Sequence, residues 1–101
     1  MEHVLKCSRD AAAAYARVKG PDDVLTGNAK LGLGRTLTEL GRFGEAEKEL
    51  LEADRVLRAA TGVPPERLKQ SAESVAKMYE AWEKAEPGKG YGEKAAEWRG
   101  R

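Results

Sequence analysis

The chain has one cysteine, one histidine, one phenylalanine and no real excess of charge of either sign. Each shortage excludes something. A lone Cys7 rules out an intramolecular disulfide and a cysteine zinc site. Lys6 and Arg9 stand near it, and it reads as a structural cysteine, packed or half-exposed. His3, near a terminus, has no cysteine or carboxylate at ligand spacing and so implies neither a metal site nor a catalytic pair. Charged residues make up 35% of the 101 residues yet sum to +1. That balance gives no electrostatic reason for binding nucleic acid or an anionic membrane. The longest uninterrupted apolar run, Ala11 to Ala16, is far short of a membrane span. The opening MEHVLKCSRD lacks the apolar core of a secretion signal. The expectation is a cytoplasmic, non-enzymatic protein with no metal or cofactor.

What is present is helical in character. Ala, Leu, Glu, Lys and Arg dominate, with only six aromatic residues: Tyr15, Phe43, Tyr79, Trp82, Tyr91 and Trp98. Val4, Ala11, Tyr15 and Val18 step by seven, four and three, which is one helical face. Leu33, Leu37 and Leu40 form a second, and Ala46, Leu50, Ala53, Leu57 and Ala60 a third. Leu68, Ala72, Val75, Tyr79 and Trp82 repeat that rhythm, and Tyr91, Ala95 and Trp98 close it. No segment alternates as a strand would. The breaks carry turn chemistry: KGPDD, LGRFG, TGVPPE and the looser EPGKGYG. The spacing predicts an all-α protein with helices over 3–19, 24–40, 43–60, 65–84 and 91–100. The many glutamates, as in EAEKELLEADR, sit at i,i+4 spacing from Lys and Arg and read as helix-surface pairs.

The segment NAKLGLGRTLTELGRFGEAEKEL holds Gly32, Gly34, Gly41 and Gly44 inside a helical pattern. Each glycine in a helix interior costs about 1 kcal/mol relative to alanine. A phosphate-binding loop is one explanation, but Leu33 stands where its lysine belongs and Leu37 where a dinucleotide fingerprint has its third glycine. Close helix packing is the other. Gly20 and Gly62 lie 42 residues apart, and at that shift Leu33 meets Val75, Leu37 meets Tyr79 and Leu40 meets Trp82. Helix pairs recurring at a fixed period mark a stacked array.

Leu33-Gly34-x-x-Leu37, Gly41, Phe43, Ala46-x-x-x-Leu50 and Ala53 resemble the tetratricopeptide repeat, whose pattern is Leu-Gly-x-x-Tyr followed by Ala-x-x-x-Phe. The 42-residue period and the GPDD linker resemble the longer-period bacterial branch. Lys30 replaces the family's Trp, Leu37 and Leu50 replace aromatics, and Arg58 replaces the closing Pro. In this pattern Gly34 and Ala46 let antiparallel helices approach, Gly41 makes the turn and Phe43 plugs the base of the pair. Ala53 leaves room for the next repeat, and Gly32 is unaccounted for.

The resemblance implies a right-handed α-solenoid stack of antiparallel pairs in one domain, 1–101. Its parts are a lone helix (3–19), a repeat pair (24–60) and a shortened, loosened pair (65–100). It also implies a concave groove that takes a peptide or helix from a protein partner. Projected by register, Asn28, Leu31, Arg35, Thr38 and Glu39 face it from one pair, and Gln70, Glu73, Lys77 and Glu80 from the next. Arg35 and Lys77 would grip a carboxylate or an acidic peptide. An alternative is a regulatory appendage of a larger enzyme such as a bacterial Ser/Thr signalling kinase, since MYEAWEKAEPGKGYGEKAAEWRGR resembles the closing repeat of such proteins. The first helix has more apolar surface than one contact stripe uses. An upstream domain or a second copy would cover it, and a homodimer through Val4, Ala11, Tyr15 and Val18 is expected.

Overall fold

The structure, a computed structural model, describes residues 2–100, with Glu2 by its backbone alone; Met1 and Arg101, within the predicted 1–101 span, lie outside the described residues. Five α-helices make up the fold: α1 (Glu2–Lys19), α2 (Val24–Glu39), α3 (Phe43–Ala59), α4 (Pro65–Ala85) and α5 (Tyr91–Arg99). There is no strand among the described residues. The predicted boundaries hold to within one residue because the signals are local. The Asp23 carboxylate accepts from the Leu25 amide at 2.8 Å and caps α2. Pro65 opens α4, where a missing N–H is harmless. None of the helices is long and apolar enough to cross a membrane.

The turn between α2 and α3 follows from Gly41. Its φ of +77° is a left-handed conformation that a side chain disfavours. From there the Gly41 amide donates to the Thr38 carbonyl at 3.0 Å and the Arg42 amide to the Leu37 carbonyl at 2.9 Å. This paired closure satisfies the end of α2 and sends the chain straight back as α3.

Each helix packs on the next, and α2 also touches α4. Leu33, Leu37, Ala46, Leu50, Ala53, Leu57, Val75, Met78, Tyr79 and Ala95 form the apolar core, with Leu5, Ala12 and Leu31. The tightest approach among the glycines is at Gly34, where a Cβ would lie 2.5 Å from Cγ and Cδ2 of Leu50, one turn after Ala46. Leu50 is fully buried and cannot swing away. Gly27 meets the same neighbour helix, with Val56 Cγ1 at 3.0 Å from where its Cβ would stand. Gly32 and Gly44 face open space, so close packing explains only part of the glycine content.

Two contacts bring α4 onto α3. Asp54, 4% exposed, accepts from Ser71 Oγ and from Arg58 Nε, both at 2.8 Å. Phe43 is half-buried and stacks on Trp82 with ring centroids 5.8 Å apart. The stack runs on from Trp82 to Tyr91 at 4.0 Å, which seats α5 against the end of α4. Glu83 secures the glycine-rich connection, accepting from the Gly88 amide at 3.2 Å and the Gly92 amide at 3.0 Å.

In α1 the inward residues are Leu5 and Ala12, which are buried. Val4, Ala11, Tyr15 and Val18 form the outward face, and Cys7 beside them is exposed rather than packed.

The two glycines of Gly32-Leu33-Gly34 should therefore respond in opposite directions to alanine. Gly34→Ala forces Leu50 out of its site and should cost about 1–3 kcal/mol, and Gly34→Leu at least as much. Gly32→Ala relieves helix-interior glycine in open space and should stabilise by up to about 1 kcal/mol. Thermal or urea melts of the variants check the contrast, and two shifts of the same sign would contradict the packing described.

Candidate binding groove

Because α4 turns Ser71, Ala72, Val75, Ala76, Met78 and Tyr79 inward, its residues 70, 73, 74 and 77 share an outward face. On α2, Leu33, Gly34 and Leu37 are buried, leaving Arg35, Thr38 and Glu39 beside that face. The two sets meet across a recess of about 390 Å³ lined by Arg35, Thr38, Glu39, Gln70, Glu73, Ser74 and Lys77. Six of the nine groove residues expected from register thus come together, and Glu80 is drawn away toward α5.

The other two do not. Leu31 is 4% exposed and belongs to the apolar core, because the face of α2 that meets α4 is partly a packing face. Asn28 lies outside the recess and accepts from Arg67 Nη1 at 2.9 Å, a bond that ties the start of α4 to α2. That pair is 39 residues apart, one helical turn less than the 42-residue repeat offset. The amide ladder of Asn28 and Gln70 is therefore broken: Gln70 faces the recess while Asn28 is engaged elsewhere. Ser74 was missed by register. Its position four residues after Gln70 and three before Lys77 was the available signal.

Glu80 is also removed from the groove. Arg99 of α5 forks onto it, with Nε and Nη2 each 2.8 Å from a carboxylate oxygen. Hydrogen bonding and charge from Arg99 hold the Glu80 carboxyl below the usual carboxylate range. What remains in the recess is a balanced set of two cations, Arg35 and Lys77, and two anions, Glu39 and Glu73. Among the described residues, none of the four forms an ion pair within 4.0 Å. Thr38 donates to the Gly34 carbonyl at 2.9 Å, leaving its oxygen able to accept.

A larger cleft of about 590 Å³ lies on the α5 flank of α4, because α5 spans nine residues against the 21 of α4. Pro65, Leu68, Ala72 and Trp98 line it together with Arg58, Lys69 and Arg99. Two of its three cations are already committed, Arg58 to Asp54 and Arg99 to Glu80. The smaller recess offers more unengaged polar groups.

Comparison with protein-family models, with curated proteins and with solved structures finds no match to this chain. The reading of the groove therefore rests on its own geometry.

Removal of the Arg99 fork should be visible on Glu80. In Arg99→Ala the Glu80 carboxyl should titrate higher, back toward the ordinary glutamate value. Since the folded-state value is the depressed one, the pair stabilises the fold above that pH and ceases to as the pH falls through the folded value. Side-chain carboxyl NMR titration of the two proteins measures the shift. Identical Glu80 curves would show that the fork does not hold in solution.

Proposed function

We propose that this chain is a non-enzymatic protein-interaction module, a cytosolic tetratricopeptide-type stack whose groove between α2 and α4 holds a peptide from a protein partner. In this reading α2–α3 and α4–α5 are successive antiparallel pairs of a right-handed stack, and α1 packs ahead of them. The contact of α2 with α4, beyond the sequential contacts, supports it: first helices of successive pairs lie side by side and line one surface. The short sequence signature around Leu33 to Ala53 supports it as well.

One observation carries the functional part. Seven polar or charged side chains from two helices converge on one recess, and among the described residues none of its four charges has an ion-pair partner within 4.0 Å. Exposed charges on one helix usually find an i,i+4 neighbour or solvent. Here they face a shared concavity, where a peptide can satisfy several at once. The balance of two cations and two anions alters the preference expected from register. The better ligand is a mixed-charge peptide, with an acidic group for Arg35 and Lys77 and a basic group for Glu39 and Glu73. A uniformly acidic peptide meets repulsion from the two glutamates.

A displayed random-peptide library tests this without knowledge of the partner. The protein should enrich peptides in which acidic and basic residues alternate, and the Arg35→Glu, Lys77→Glu double variant should lose them while keeping its helicity. Micromolar binding should weaken by at least about 1.4 kcal/mol, a factor of ten. Enriched peptides that bind the double variant equally well would place the binding surface elsewhere and overturn the proposal.

A further inference from the structure

The exposed large apolar side chains among the described residues are Val4, Tyr15, Val18 and Leu25, at 48%, 41%, 74% and 45%. All four lie on α1 or in the first turn of α2. Val4, Tyr15 and Val18 share the outward face of α1 with Ala11 and the exposed Cys7. The apolar strip from Val4 to Val18 is about 21 Å long. It lies about 100° around the helix from the face that Leu5 and Ala12 already bury.

We infer that this strip is a dimer seam, in which α1 of a second copy lies antiparallel across it about a two-fold axis between Ala11 and Ala14. The charges beside the strip choose the occupant and the direction. Asp10 and Arg17 are seven residues apart on one flank. In an antiparallel two-fold pair that spacing sets Asp10 beside Arg17 of the second copy, and the symmetry repeats the contact in reverse. Arg17 has no ion pair among the described residues. Asp10 is held by Lys6 at 3.1 Å, but both are largely exposed, and such i,i+4 pairs contribute little.

With the axis between Ala11 and Ala14, Cys7 lies over Val18 of the second copy and Ala11 over its Ala14, where the small side chains allow close approach. Asp10 and Arg17 are then diagonal neighbours about 3 Å out of level, within reach of their side chains. Val4 then lies over Pro21, in the α1–α2 connection of the second copy. A parallel seam would place each residue near its own counterpart. In it Asp10 and Arg17 would not meet across the two-fold axis, and the helix dipoles would align unfavourably. A head-to-tail arrangement, with α1 on the cleft beside α5, meets Arg58, Lys69 and Arg99 with a basic flank. The isologous antiparallel seam is the one that complements itself.

The interface is narrow, so micromolar dissociation is expected. Sedimentation equilibrium on the full chain over a concentration series should show a monomer–dimer equilibrium, and Tyr15→Glu should abolish it without loss of helicity. Asp10→Arg or Arg17→Asp alone should weaken dimerisation at least about tenfold, and the D10R/R17D swap should restore it. Direction is tested by mild oxidation. The V18C variant should form a covalent dimer through Cys7 and position 18, whereas the unmodified protein should not cross-link through Cys7 alone. A monomer throughout the concentration range, a charge swap no better than the single reversals, or efficient Cys7-to-Cys7 cross-linking would each overturn the seam as drawn. These readouts are independent of the groove between α2 and α4.

Discussion

The contact between α2 and α3 at Gly34 and Leu50 is the constraint on which the other helices depend. Without a side chain at residue 34, Leu50 comes to rest almost on the backbone of α2 and is completely buried there. A buried leucine contributes about 1.5–3 kcal/mol through removal of apolar surface from water. The larger consequence is positional. The depth of that contact sets the separation of α2 and α3, and so where the buried face of α3 meets α4. Gly27 allows a second close approach along the same pair, against Val56.

On that base, α4 is placed by polar and aromatic contacts that differ in kind. Asp54 is buried and would be costly alone, but Ser71 and Arg58 both donate to it. A satisfied buried carboxylate discriminates between registers more sharply than apolar packing, which tolerates sliding. The Phe43, Trp82 and Tyr91 rings then gather the ends of α3, α4 and α5 in one stack. Tyr79 adds a hydroxyl bond to Glu47 at 2.7 Å, and its burial, with that bond, pushes its ionisation well above the usual tyrosine value. The α4–α5 junction is thus firmly organised despite its glycine-rich connection.

The groove is the residue of this arrangement. Once α2 and α4 have turned their apolar residues inward, what remains between them is polar and charge-balanced, and among the described residues its four charges form no ion pair within 4.0 Å. Arg67 closes on Asn28 at the start of α4, and Arg99 draws Glu80 away. Both arginines remove groups that would otherwise have extended the groove's charge pattern. The same division of faces leaves α1 with a packed side and an apolar outer side. The molecule therefore presents two chemically different surfaces, a polar recess between α2 and α4 and an apolar strip on α1.

By itself the sequence determined that the chain is all helix, where the five helices begin and end, and where the chain reverses. Those features rest on interactions within a few residues: 3.6-residue periodicity, the Asp23 cap, the Gly41 turn and Pro65 at a helix start. It also brought Arg35, Thr38, Gln70, Glu73 and Lys77 to a common surface, because their rotational positions follow from the buried faces of their own helices. Only the tertiary structure decided which of two apolar faces of α1 turns inward, that Leu31 is core, and that Leu50 comes to rest on Gly34. It also decided that Asn28 and Glu80 are taken up by arginines from other helices. The physical reason is that a helix's periodicity specifies its faces but not its neighbour's axial offset. A shift of one turn changes which side chains meet while preserving every local pattern, and packing between distant segments selects one offset.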